Sequence, residues 1–113
     1  MKTFKDYETL IRECVSEINE QDPDYNWSVR SIDEYRVCIY WSYLKWERND
    51  CFLLRLAPPI DFGEYFITCR DPHDNMIEGH FVSDEVAWSL QESWEDAIIR
   101  SICELASYAH DVY

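Results

Sequence analysis

Glycine is almost missing from this chain: Gly63 and Gly79 are the only two in 113 residues. A phosphate-cradling loop needs several glycines at fixed spacing, so a nucleotide site of the usual kind is excluded. With only four prolines beside them, collagen-like and low-complexity organisation fail too. No apolar run reaches the roughly 18 residues of a membrane span. Base is scarce, with 10 Lys and Arg against 23 Asp and Glu and a formal net charge of −13. The sequence shows no basic patch to neutralise phosphates, so direct nucleic-acid binding is not expected. No membrane contact is expected either.

What is present is a core. Five Trp, eight Tyr and five Phe make 16% of the chain aromatic. A disordered acidic tail would be poor in such residues. The acid therefore belongs to a folded object, and at this length one domain spanning residues 1–113 is expected. The charge is uneven. Met1 to Cys69 holds 13 acids and 8 bases, whereas Arg70 to Tyr113 holds 10 acids and only Arg70 and Arg100 as bases. Five cysteines (Cys14, Cys38, Cys51, Cys69, Cys103) are an odd number at wide spacings in apolar or alternating stretches. They read as reduced core thiols rather than a disulfide framework. Met1 to Glu13 carries lysines without a continuous apolar stretch, so no secretory signal is read and the cytoplasm is the expected compartment.

Periodicity divides the chain. Phe4, Tyr7, Leu10, Ile11, Cys14, Val15 and Ile18 repeat at three and four, predicting a helix with Thr3 and Asp6 as capping box and Asp22-Pro23 as its stop. The period then falls to two. Trp27, Val29 and Ser31 form one face of a first strand. Asp33-Glu34 reads as a tight turn, and Tyr35, Val37, Ile39, Trp41 and Tyr43 form one face of a second strand. A turn at Arg48-Asn49-Asp50, a third strand over Cys51–Leu56 ended by Pro58-Pro59, and a fourth over Tyr65–Cys69 follow. Residues 80–90 fit a strand or a short helix equally. A second capping box, Ser93 with Asp96, opens a terminal helix whose inward face is Trp94, Ile98, Ile102, Leu105 and Ala109. The fold class is α+β: an antiparallel sheet of three to five strands, in meander order, flanked by N- and C-terminal helices.

This order, together with the segment Ser93-Trp94-Glu95-Asp96-Ala97-Ile98-Ile99-Arg100-Ser101-Ile102-Cys103, resembles the small phage-encoded αβββα (ABA-sandwich) proteins. Those often end in a capped helix with an Ala-Ile-x-Arg-Ala-like core, from which Ser101 departs. The resemblance implies a phage or prophage origin, and host cytoplasm as the compartment. It implies no activity and brings over no functional residues.

Four constellations bear on chemistry. Cys69, His73 and His80, with Asp71 or Asp74, would make a zinc site, but zinc sites are usually announced by close Cys or His pairs and none occurs. A Cys-His nucleophile lacks any recognisable signature, and an acidic surround opposes thiolate formation. The pairs Asp33-Glu34, Asp84-Glu85 and Glu95-Asp96 point apart on regular elements, and acids at helix starts have a dipole explanation. The aromatics Tyr40 and Trp46 fall on the second strand's other face. They lie on an open sheet if both helices cover one side, and in the core if the helices cover opposite sides.

No reaction, metal or cofactor follows from these residues, and the chain is read as a non-enzyme. The expected function is that of an acidic inhibitor that binds a basic protein, a nuclease or other nucleic-acid-binding protein, by substituting carboxylates for phosphates. Phage anti-defence proteins, anti-CRISPR proteins among them, are of this type. An immunity protein against a nuclease toxin uses the same physics, and a structural or adaptor module is the alternative from another class. The contact residues expected are Asp71, Asp74, Glu78, Asp84, Glu85, Glu92, Glu95 and Asp96, with Tyr40 and Trp46 as aromatic anchors.

Overall fold

A computed structural model describes residues 3–57, 66–71, 73, 87–89 and 94–112. Thr3 opens the first element: its N–H donates to the Asp6 carboxylate at 2.8 Å, the return arm of a capping box. A 3₁₀ turn (Phe4–Tyr7) leads into helix α1 (Glu8–Gln21), whose inward stripe buries Phe4, Ile11 and Val15. Strands β1 (Tyr25–Ile32), β2 (Arg36–Tyr43), β3 (Arg48–Ala57), β4 (Phe66–Arg70) and β5 (Ala87–Ser89) follow, then helix α2 (Trp94–Val112). The strands form one antiparallel sheet in the order β1-β2-β3-β4-β5, the expected meander in an α+β fold. The described part of the ambiguous stretch 80–90 is strand.

The layering follows from side-chain parity. Trp27, Val37, Ile39, Trp41, Phe52, Leu54, Leu56, Ile67 and Cys69 all point to one face and are buried. Against that face lie both helices, α1 over β1 and α2 over β3, β4 and β5, in contact with each other along their sides. Both helices lie on this single face; on the opposite face the described side chains range from exposed Arg36 to fully buried Thr68. At the centre, the Trp41 ring meets Phe52 edge-on at 6.2 Å and Trp27 at 6.5 Å, and Tyr108 of α2 closes on Phe52 at 6.1 Å. Aromatic pairs in such geometry add about 0.5–1.5 kcal/mol each beyond the area they bury.

Polar contacts fix the ends. Trp27 N–H donates to Asn19 Oδ1 at 2.9 Å, joining α1 to β1. Near the chain terminus, His110 Nε2 lies 2.6 Å from the Asp22 carboxylate, and its ring is 4.5 Å from that of Tyr25. Tyr7 stacks on Trp94 at 5.3 Å, so the start of α2 is held by the N-terminal turn.

Several expectations are corrected. Ser31 does not continue the inward face of β1: a bulge between Val29 and Ser31 shifts the parity, so Ile32 opposes Val37 and turns inward while Ser31 is exposed. Tyr35 lies in the turn before β2 rather than in the core, and is 54% exposed. The second turn is not Arg48-Asn49-Asp50, which already belongs to β3. A 3₁₀ turn (Leu44–Trp46) and Glu47, at φ 50°, make it instead. Only Cys69 is a core thiol; Cys14, Cys38 and Cys51 are half-buried and Cys103 is exposed.

One-sided packing predicts an asymmetric response to truncation. Phe52→Ala is expected to cost about 3–5 kcal/mol. Leu44→Ala, on an exposed side chain, is expected to cost about 0.5 kcal/mol or less. Urea unfolding of the two variants measures the difference.

Candidate functional site

Charge is sorted by layer. The five strands carry five arginines and one acid, Asp50, whereas α1 and α2 carry eight acids and two arginines. On the helix layer, Glu8, Glu13, Glu17, Glu20, Glu95 and Asp96 are exposed. A heptad-like inward stripe forces this, because the apolar positions take the sheet side and the remaining positions face water. Arg12 is bound by Glu8 at 3.0 Å, so one of the two arginines there adds little net positive field.

Between the helices runs a seam at Cys14 and Cys103. Burial pushes the Cys14 thiol upward, helped by Glu17, Cys103 and Glu13. Burial also raises Cys103, with Glu104 and Glu17 adding to it. These thiols therefore report a concentration of carboxylates, Glu13, Glu17 and Glu104, gathered from two elements about ninety residues apart in sequence. Their chemistry is electrostatic: a protonated thiol in a negative field is a poor nucleophile.

The sheet face turned away from the helices is different. Arg30 projects from the β1 bulge, its Nη1 3.5 Å from Cys51 Sγ and its guanidinium 5.4 Å from the centre of the Tyr40 ring. Cys38 and Cys51 lie on this face, and burial together with a hydrogen bond to Cys51 pushes the Cys38 thiol up to about 11. Arg36 and Arg55 occupy directly opposed positions on β2 and β3. Arg70 Nε donates to Thr68 Oγ1 at 3.4 Å, and that hydroxyl donates to the Arg55 carbonyl at 3.3 Å. Arg30, Arg36, Arg55 and Arg70 thus share one surface in a chain of net charge −13. Sequence reasoning found no basic patch because these residues are spread over forty positions, and only strand register brings them together.

Of the predicted contact residues, those that are described do not all share one surface. Glu95 and Asp96 sit exposed in the first turn of α2, on the helix layer. Tyr40 is half-buried on the opposite side of the sheet, so it cannot anchor the same contact as these two acids. Asp71 follows β4, and its Oδ1 accepts the His73 N–H at 2.9 Å. Asp74, Glu78, Asp84, Glu85 and Glu92 lie outside the described residues, as does the side chain of Trp46. Of the zinc candidates, Cys69 faces the core and its Sγ contacts the Ser101 carbonyl at 3.4 Å, whereas His73 is exposed and His80 lies outside the described residues. Among the described residues no cluster of three or more potential metal ligands occurs, and no helix is long and apolar enough to cross a membrane.

Comparisons with protein-family models, with curated proteins and with solved structures give no match.

The raised thiols set a pH dependence. A folded-state pKa above the ordinary 9.0 means the native state holds its proton more tightly than the unfolded chain does. The stabilisation is complete below pH 9 and is lost as pH rises through about 11 for Cys38. Urea midpoints at about pH 8 and about pH 10.5 should therefore fall, and Cys38→Ser should show the smaller fall.

Proposed function

We propose that this chain is a small inhibitor-type binding module that docks the acidic outer side of its helix layer on a basic, nucleic-acid-binding surface of another protein. One observation carries the reading: of the regular elements described, the two helices hold eight acids and two arginines, while the strands hold five arginines and one acid. Two side-by-side helices present fixed rows of carboxylates, and rows of negative charge are what a phosphate-binding surface is built to receive. The acids named from the helix starts, Glu95 and Asp96, belong to this surface, joined by Glu13, Glu17 and Glu20 of α1.

The mechanism is competitive occlusion. Complementary potentials speed the encounter and fix its orientation. Once seated, the helix layer covers the partner's basic site and excludes its nucleic acid. No covalent step is required.

The test is capture of partners from a bacterial lysate at low and high salt, followed by affinity measurement on the purified pair. A nuclease or other DNA-binding protein is expected, released by high salt and competed by DNA. The triple variant Glu13→Lys, Glu17→Lys, Glu95→Lys should weaken that pair by roughly tenfold or more at low salt, whereas Arg30→Gln should leave it unchanged. Binding that resists salt and the triple reversal would refute the reading.

A further inference from the structure

The side of the sheet turned away from the helices holds a pair of cysteines with no part in the core. Cys51 is the register partner of Tyr40, and Cys38 of Leu53, so the two cysteines are diagonal neighbours across β2 and β3 with their side chains on one face. Both are half-buried, and a hydrogen bond joins the two thiols. Arg30 reaches over from β1: its Nη1 donates to Cys51 Sγ at 3.5 Å, and its guanidinium is 5.4 Å from the centre of the Tyr40 ring. Three neighbouring strands thus fix two sulfurs and a cation, and sites built on strands hold their geometry better than sites built on loops.

The charge around this pair is the reverse of that at the helix seam. Cys14 and Cys103 sit among Glu13, Glu17 and Glu104, which oppose a thiolate. At Cys38 the charged neighbours Arg30 and Arg36 favour one. What opposes charge at Cys38 is burial, followed by the hydrogen bond to Cys51. A bound cation removes both obstacles, because it neutralises the buried sulfur and takes the place of the shared proton.

Position decides between the two things a thiol pair can do. Diagonal neighbours on a sheet lie about 7–8 Å apart, whereas a disulfide needs Cα atoms at roughly 4.4–6.8 Å. The pair therefore suits a link one atom longer than a direct S–S bond. Among the described residues no third His, Cys, Asp or Glu joins it, so it matches neither the four-ligand shell of zinc nor the oxygen shell of a hard cation. Soft thiolate donors select Cu(I).

We propose that Cys38 and Cys51 bind one Cu(I) ion as a two-coordinate dithiolate, with the Arg30 guanidinium beside Cys51 offsetting the charge of the complex. Two thiol protons leave to solvent, two Cu–S bonds form, and no electron changes hands. Two thiolates and one monovalent cation leave a single negative charge, which one guanidinium balances. The site is independent of the docking surface proposed for the helix layer, because its residues all lie on the strands.

The experiment is an anaerobic titration of the reduced full chain with Cu(I) delivered from its bicinchoninate complex, followed by X-ray absorption and by alkylation of the loaded chain read by mass spectrometry. One Cu(I) should transfer to each chain and show two sulfur neighbours, and excess Zn(II) should not displace it. Loading should protect Cys38 and Cys51 from iodoacetamide and leave the exposed Cys103 reactive, a readout that needs no variant. Cys38→Ser and Cys51→Ser should each abolish transfer, and Cys103→Ser should retain it. Arg30→Gln, which loses a hydrogen bond to a charged group, should weaken binding by about tenfold. No transfer from the chelator, protection of Cys14 and Cys103 in place of Cys38 and Cys51, or binding that survives either Ser variant would overturn the site. Displacement by Zn(II), or more than two sulfur neighbours, would overturn the two-coordinate Cu(I) assignment.

Discussion

Everything else in this molecule depends on the burial of one sheet face by both helices. Trp27, Trp41 and Phe52 form the centre of that face, and Phe4, Ile98, Ile102 and Leu105 close on it from the other layer. Each fully buried side chain of this size is worth about 1.5–3 kcal/mol relative to exposure, so the face is the main stabilising feature of the fold. A two-layer arrangement has two outer surfaces. One is the far side of two helices, and the other is the side of the sheet turned away from them.

Those surfaces inherit different charges because their elements obey different rules. The helices reserve their inward stripe for apolar residues and fill the remainder with glutamate, which favours helix and tolerates water. The strands alternate, and their outward positions hold arginine, serine, cysteine and tyrosine together with Leu53 and Thr68. Arginine at such positions lays its aliphatic stem along the sheet and keeps its head in water, as Arg30 does across Cys51 and Tyr40. Net charge of −13 conceals this division. A negative partner surface and a positive one are both available to a chain whose bulk numbers describe only the first.

Much of the fold was legible in the sequence. The stripes of α1 and α2 repeat at three and four, and the alternation of β2 is unbroken from Val37 to Tyr43. The Ser31 error has a local cause: a bulge adds one residue, and period-two reading cannot register an added residue. The Tyr35 error comes from extending that alternation into a turn held by Asp33. Turn 44–47 was displaced because Leu44 and Trp46 look like strand residues, whereas Glu47 takes the left-handed conformation without a glycine to signal it. The candidate site was less legible. Which side Tyr40 faces depends on where both helices pack, and the convergence of Arg36 on Arg55 depends on register; neither is a local property of sequence. The seam at Cys14 and Cys103 joins opposite ends of the chain, so no motif could have announced it.

The central claim is that the helix layer, with its ordered carboxylates, is the surface through which the chain meets a protein partner. Carboxylate footprinting of the free and partner-bound chain tests it directly, since a carbodiimide label reads each Asp and Glu separately. The account predicts protection of Glu13, Glu17, Glu20, Glu95 and Asp96 on binding, with Glu47 and Asp50 labelled as before. Protection confined to Glu47 and Asp50, with the helix acids still fully labelled, would contradict it.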